Sequence, residues 1–506
     1  MKPDTEKFRL RTCLENFAAN GEVEIVEAPA KLTEIAAKLD GNPKAVWFRK
    51  AGPEGHELAG NVMASRRRLA LAMCVDERDL LAETTRRLAR PIAPVEIGSA
   101  DAPVQQVVLR DNAADLTALP VHLQHGEDGA PYISATLDIS TDATTGLPNV
   151  GMRRLMLRGR REAGIDLNAP SDLRAIYGGA HGKGDRLPLA FAVGFHPADA
   201  VAALVMAPPM DEIALMGAMR GEAVPVVKCV TSELRVPADA EYVIEGYLDA
   251  DGWTAEEGPF GEYVGYYGRL KRNPVFHLTA ITHRKDAVFQ TATIGGRHMA
   301  HTDTAQLAAL RTEQAVWSAL SLAVREPVAV YAPASTGGMY NVRISLNQRV
   351  PGEARNAIAA AFGSAADCKH VFVVDPDIDV FDDDQMEWAM ATRFQADRDF
   401  VAASSHRAVP LDPSLQGARA GSKAGFDLTR PFGSAKAQEW QVPDPPVFAP
   451  KGNRTVEEAL REGPKFFREL MDATGSNDGR EIVRELERFY AAGTLARLDD
   501  GRYELK

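Results

Sequence analysis

Two glutamates, Glu257 and Glu262, flank a Gly-Pro-Phe-Gly within "WTAEEGPFGEYVGYYG", residues 253–268. Carboxylates brought to one point repel, which raises one pKa towards that of a proton donor near neutral pH; a nearby arginine keeps the other ionised. In a strand, residues five apart point to opposite faces, and on a helix they diverge by about 140°. Neither regular element aims both carboxylates at one place. Gly258, Pro259 and Gly261 supply irregular backbone that could do so, since glycine admits unusual dihedrals and proline fixes one. From spacing alone, a solvated turn stands ahead of a catalytic pair.

Other chemistry-bearing stretches reduce to simpler readings. The run "DPDIDVFDDD" begins with calcium-loop spacing, but Val380 stands where the turn needs glycine and Met386 where a bidentate glutamate belongs. Its carboxylates suit a strand end and the N-terminus of the next helix. "GGAHGKGD" lacks the spacing of a phosphate loop, with Gly184 at the position of the metal-binding hydroxyl. His298 and His301 of "HMAH" have no carboxylate signature beside them and read as a polar pocket wall. There is no GxSxG elbow and no strand-linked GxGxxG, so hydrolase and classical nucleotide readings lose their usual support.

The elements that must position these residues fall into blocks. The first hundred residues alternate helical and strand-like pieces ("TEKFRLRTCLENFAAN", "EVEIVEA", "AVWFRKA", "RRRLALAM"), an α/β pattern. From about Gln105 to Gly296 strands dominate, among them "YISATLDIS", "NVGMRRLMLRG" and "VFHLTAITHRKDAVFQTATI", which suggests a barrel or sandwich. After Ala305 a helical pattern returns, and "KHVFVVD" feeding "DDQMEWAMATRF" reads as a buried strand leading to a capped helix of a second α/β domain. "VPDPPVFAPKGNR" reads as a stiff linker or arm. A helix with Ile482, Leu486 and Phe489 on one face and an Asp-Gly hairpin follow it.

At 506 residues the chain exceeds one typical core and suggests two to four units. A formal net charge of −12 argues against nucleic acid and anionic membrane surfaces as partners. The four cysteines lack zinc or disulfide spacing, and the charged N-terminus has no apolar leader, so the expectation is a cytoplasmic protein with reduced thiols.

"EEGPFGEYVGYYG" resembles the signature of the UbiD family of prenylated-FMN-dependent decarboxylases. Further resemblances are "DLTALPVHLQHGEDGAPYISATLDISTDATTGLPNVGMRR" upstream, "DEIALMGAMRGEAVPVVKCVTSELRVPADAEYVIEGYL" before the glutamates, and "FVVDPDIDVFDDDQMEWAMATRF" and "GSKAGFDLTRP" after them. The match runs nearly the length of the chain. It implies an α+β / α/β multidomain fold: an N-terminal α/β domain (1–115), a central split β-barrel related to flavin reductases (116–304) and a C-terminal α/β domain used in oligomerisation (305–440). A Pro-rich linker plus helix-hairpin tail (441–506) completes it.

The resemblance carries a catalytic network onto Glu257, Arg154 and Glu262, with Arg154 five residues after Asn149. It implies prenylated FMN near Ser134, Asn149, Met152, Arg154 and Lys423, the lysine by the phosphate, and a divalent metal (manganese or magnesium) and potassium clamping that phosphate. Asn149 and Glu212 resemble two metal ligands; where the family usually has histidine, this chain has Asp172. Aspartate oxygen suits magnesium or manganese, and His181 is the alternative third ligand.

Removing CO2 from an sp2 carbon leaves an anion that needs an electron sink no side chain provides, so a cofactor must carry that part. The resemblance assigns proton delivery to Glu262, orientation of the acid to Arg154, and completion of the network to Glu257. Arg297, His298 and His301 are the expected substrate-facing residues, and their polarity suggests an aromatic or heteroaromatic acid bearing a second polar group. Implied partners are that acid, CO2, a flavin prenyltransferase and further copies of the chain, as a homodimer or higher homo-oligomer. Two readings compete: a flavin-free metal-dependent hydrolase built on Asn149, Asp172 and Glu212, and a non-catalytic oligomeric scaffold.

Overall fold

The strand-rich middle of the sequence closes on itself. In the computed structural model, which describes residues 3–205, 210–434, 437–449 and 451–506, the strands Tyr242–Leu248, Leu187–Val193, Tyr132–Thr141, Pro148–Leu157, Glu162–Ile165 and Val275–His283 pair in that order. Every pairing is antiparallel, and Tyr242–Leu248 also pairs with Val275–His283. The ring is a six-stranded barrel, and closure leaves it without a free edge.

Alternation along each strand sorts residues inward and outward. Ile133, Leu155, Ile165, Phe191, Ile244 and Phe276 fill the interior. Leu137, Ile139, Val150 and Met156 face outward and pack with Ala198 and Val201 of helix Pro197–Ala203 and Ile213 and Met216 of helix Glu212–Arg220. On strand Pro148–Leu157 this puts Met152 and Arg154 on the outer face with Val150 and Met156, and Asn149 on the face of Leu155.

The N-terminal and central segments exchange strands. The sheet of Val23–Val26, Ala45–Ala51 and His56–Gly60 is completed by Val288–Gln290, which follows the barrel in sequence. Conversely, Val107–Arg110, on the N-terminal side of the expected boundary at 115/116, pairs with barrel strand Val275–His283. Local patterning identifies strands and carries no information about such distant partners.

The C-terminal α/β domain is a five-stranded sheet in the order Pro327–Tyr331, Asn341–Leu346, His370–Val374, Ala420–Asp427, Phe400–Arg407. Helices Asp303–Ala323 and Glu353–Gly363 bury Val316, Leu320, Ala357 and Ile358 with Val342, Ile344 and Val371 of that sheet. The acidic run lies as its bland reading expects: Asp375 follows strand His370–Val374, and the Asp382 side chain accepts from the N–H groups of Asp384 and Gln385 to cap helix Asp383–Arg393.

Residues 430–506 form a second compact unit, which begins before the 441 expected from the sequence. Its helices Val456–Arg461, Phe467–Thr474 and Arg480–Ala491 and hairpin Leu495–Arg497 with Tyr503–Leu505 enclose Val456, Leu460, Leu470, Ile482, Leu486 and Leu495. Residue 450 of the Pro-rich segment lies outside the described residues. Among the described residues no helix is long and apolar enough to cross a membrane.

Candidate active site

The glutamate motif folds as two short ribbons with a break between them. Ala255–Glu257 pairs with Lys271–Asn273, and Phe260–Gly261 pairs with Tyr267–Gly268. Gly258, at φ +94°, makes the break in a region that side-chain-bearing residues avoid. Gly268 lets the chain close on the acid: a Cβ there would stand 2.6 Å from Glu262 Oε1. The kink between two ribbons does what neither an ideal strand nor an ideal helix could.

Both carboxylates converge on Arg154. Its Nη1 donates to Glu262 Oε2 at 3.0 Å, Nη2 to Glu262 Oε1 at 3.1 Å, and Nε to Glu257 Oε1 at 3.3 Å. The guanidinium carbon lies 4.3 Å from the Phe260 ring centre and 5.8 Å from that of Tyr132, so aromatic faces cover the cation. The turn is therefore no solvated ornament: Glu257 and Glu262 are both buried.

Two further charged residues join them, and sequence reasoning missed both. Asp166 Oδ2 accepts from Arg154 Nη2 at 3.3 Å and from Lys271 Nζ at 2.7 Å, and Lys271 Nζ also donates to Glu262 Oε1 at 3.1 Å. Asn273, two residues on from Lys271, donates to Glu257 Oε2 at 3.4 Å. The one available signal was the ribbon register that sets Lys271 opposite Glu257, and nothing local in "KRN" fixes it.

The charges shape each other. Burial works against the Arg154 cation, but Glu257, Glu262 and Asp166 more than offset it and raise its pKa. Burial likewise opposes the charges of Asp166 and Lys271; the neighbouring cations hold the Asp166 carboxyl well below its usual range, and Glu262 and Asp166 raise the lysine. Glu257 goes the other way: burial pushes it up, Asp166 adds to the rise, and Arg154 opposes it. The arrangement is a buried acid–base centre with a carboxyl predisposed to hold a proton.

The residues expected at the metal lie at one end of the same strand. Asp172 and Glu212 each open a helix, Asp172–His181 and Glu212–Arg220, where the helix dipole favours negative charge. The Val150 N–H, next to Asn149, donates to Glu212 Oε2. Glu212 is pushed up to about 7, mainly by burial, with Asp172 and Asp138 adding to the rise. Asp138 itself is fully buried opposite Gly151, and neither of its oxygens has a hydrogen-bond partner. Arg153 Nε lies 3.5 Å from Asp138 Oδ1 and partly offsets its charge; the oxygen donors Asn149, Asp172 and Glu212 are of the kind that suits a hard divalent cation. Among the described residues no three His, Cys, Asp or Glu side chains gather as a metal cluster. Asn149 and Arg154 are separated by about 16 Å of extended strand and lie on opposite faces of it.

The other expected residues fall as follows. His181 does not reach Glu212: it ends the helix that Asp172 begins, about 13 Å away along the axis. Its Nδ1 lies 2.7 Å from the Ala250 carbonyl oxygen, and its ring packs on Tyr177 and Trp253. Ser134 Oγ accepts from Ala292 N and donates to Ala292 O, both at 2.9 Å, tying strand Tyr132–Thr141 to the segment that follows strand Val288–Gln290. Met152 packs against the outer core. Lys423 is buried in the C-terminal sheet, and its ammonium donates to the Phe362 carbonyl at 2.9 Å. Arg297 and His298 are exposed, His298 Nδ1 standing 3.0 Å from Asp40 Oδ1 of the N-terminal domain, while His301 closes a 3-10 turn, half-buried. Among the described residues no hydrogen bond or ion pair joins these three to the Arg154 cluster, although Gly295, two residues before Arg297, packs against the Glu262 carbonyl.

Residues 15–88, 95–298 and 305–428 match, in order, the N-terminal, Rift-related and C-terminal domains of the family UbiD, 3-octaprenyl-4-hydroxybenzoate carboxy-lyase. The chain is 29% identical over 422 residues to anhydromevalonate phosphate decarboxylase of Methanosarcina mazei, covering 83% of this chain and 96% of that protein. It is similar to the UbiD-class enzyme HmfF from Pelotomaculum thermopropionicum, solved in complex with FMN, at 32% identity and a TM-score of 0.81 over 86% of this chain and 97% of that one. It is also similar to the apo 3,4-dihydroxybenzoic acid decarboxylase of Enterobacter cloacae, at 26% identity and a TM-score of 0.80 over 87% of this chain and 97% of that one.

Proposed function

The chain belongs to the UbiD family of carboxy-lyases, and from that premise we propose that it decarboxylates an acid whose carboxyl sits on an sp2 carbon, with Glu262 delivering the proton to the vacated carbon. The observation that carries this reading is the Arg154 guanidinium held between Glu257 and Glu262. A prenylated FMN, when bound, supplies the electron sink that carboxyl loss requires. Asn149, Asp172 and Glu212 would hold a divalent cation beside its phosphate.

This chain's own side chains do the rest. Arg154 draws the substrate carboxylate to the glutamates and fixes its angle. Phe260 and Tyr132 lie against the guanidinium and keep water from it, so electrostatic interactions there act at low dielectric. Glu262, gripped at both oxygens, is held at a defined place for proton transfer; Glu257, pushed up by burial, is the proton reservoir behind it.

Relatives are named for 3,4-dihydroxybenzoic acid and for anhydromevalonate phosphate, so the aromatic or heteroaromatic expectation stands beside a non-aromatic unsaturated acid. The test is production of the protein together with a flavin prenyltransferase, followed by absorbance spectra and CO2 release from a panel of aromatic, heteroaromatic and aliphatic unsaturated acids. Flavin absorbance with CO2 from at least one acid is the expected result. A colourless protein that hydrolyses in a metal-dependent way would favour the hydrolase reading instead.

A further inference from the structure

The Arg154 site holds more charge than a Glu-Arg-Glu triplet. We propose that Asp166 and Lys271 are positioning residues of the acid–base centre, which works as a cage of five charged groups: Lys271 shares Glu262 with Arg154, and Asp166 ties the two cations together.

The contacts are mutual. Lys271 and Arg154 Nη2 both donate to Glu262 Oε1, and both donate to Asp166 Oδ2. The four groups form a closed loop of alternating charge, with Glu257 attached through Arg154 Nε. The ribbon sets Lys271 in register with Glu257, and Asn273 on the same edge touches both Glu257 and Asp166. The loop is open to the outside: the side chains of Arg154, Asp166 and Lys271 are 15%, 17% and 21% exposed, whereas Glu257 and Glu262 are 1% and 2%. An entering acid therefore meets the two cations and Asp166 before the glutamates.

Three carboxylates against two cations leave the cage one negative charge in excess. An acid substrate adds another, so it is best admitted while one cage carboxyl is protonated, and Lys271 and Asp166 set the pH range over which that holds. The groups facing the glutamates come from every neighbouring element: Arg154 from strand Pro148–Leu157, Tyr132 from Tyr132–Thr141, Asp166 just after Glu162–Ile165, Lys271 and Asn273 from the ribbon, and Asp128 through the Gly261 N–H. Among them Lys271 and Asp166 are the two whose replacement changes the cage's charge without touching Arg154 or either glutamate.

The roles are named for the proposed proton transfer, but the test reads the resting protein. Infrared titration of the full-length protein, with the Glu257 carboxyl band assigned by its loss in Glu257→Gln, follows the cage proton directly. Lys271→Met is expected to keep that band to a pH about one unit higher, a tenfold change in proton affinity, and Lys271→Arg to restore the original titration. Asp166→Asn is expected to shift it the opposite way. A band that titrates at the wild-type pH in both Lys271→Met and Asp166→Asn, or no band removed by Glu257→Gln, overturns the proposal. Failure of the decarboxylation reading would appear in turnover and leave these titrations unchanged.

Discussion

Two arginines in this molecule, Arg220 buried and Arg154 half-buried, each collect carboxylates, and the contrast between them separates a structural knot from the proposed active site. Arg220 is gripped by Asp199 on one side, at 2.6 and 2.7 Å, and by Asp239 on the other, at 2.5 and 3.3 Å. All three side chains are within 1% of complete burial. The Arg154 bonds are longer, 3.0 to 3.3 Å, its partners come from separate strands and a ribbon, and one flank reaches solvent. A closed, tight cluster has no room for a reactant. A looser cluster with an open edge can exchange a partner for a substrate or a proton.

The largest expected difference is in stability. Arg220→Met leaves two buried carboxylates without their cation, and chemical denaturation should show a loss of about 3–5 kcal/mol, with turnover per folded molecule unchanged. Next is Gly268→Ala, whose new Cβ would stand 2.6 Å from Glu262 Oε1. Displacing that carboxylate by a fraction of an ångström to an ångström should lower turnover by about 100-fold in steady-state assays, with a nearly unchanged melting temperature.

The two regions should also respond to pH with opposite sign. His196, beside Arg220, is driven down to about 3 by burial and then by Arg220 and Arg87. Its folded pKa lies below the unfolded value, so only the unfolded chain takes up the proton in between. Stability is therefore lost as pH falls from about 6.5 towards 3, and His196→Gln should flatten that slope in denaturation midpoints measured against pH. Glu257 is raised, so the folded state binds the proton more tightly; its contribution is present at low pH and is lost as pH rises through the raised pKa. Glu257→Gln should remove that alkaline loss. The smallest effect is expected outside both regions: Asp40→Asn breaks an ion pair to His298 that is more than half exposed, and neither the melting temperature nor turnover should move measurably.

The strand and helix patterns show the three-domain order, and the triplet Arg154, Glu257 and Glu262 comes from the resemblance to the UbiD family, since spacing alone reads the glutamate turn as solvated. The sequence does not show Asp166 or Lys271, which reach the site through a strand end and a ribbon register that depend on pairing across the fold. The same limit explains the exchanged strands Val107–Arg110 and Val288–Gln290, whose partners lie far away in the chain. The surroundings of His181 and His298 are likewise not legible in the sequence. A histidine near a motif attracts a functional reading, but here one is packed on Tyr177 and Trp253 and the other is paired with Asp40 on the surface.

The most direct test of the central claim compares wild type with Glu262→Gln, both produced with a flavin prenyltransferase, measuring flavin content, melting temperature and CO2 release from the best acid substrate. The account predicts unchanged flavin content and folding with turnover reduced by about 100-fold to 10,000-fold, the range of a lost general acid. Full turnover by Glu262→Gln would contradict it.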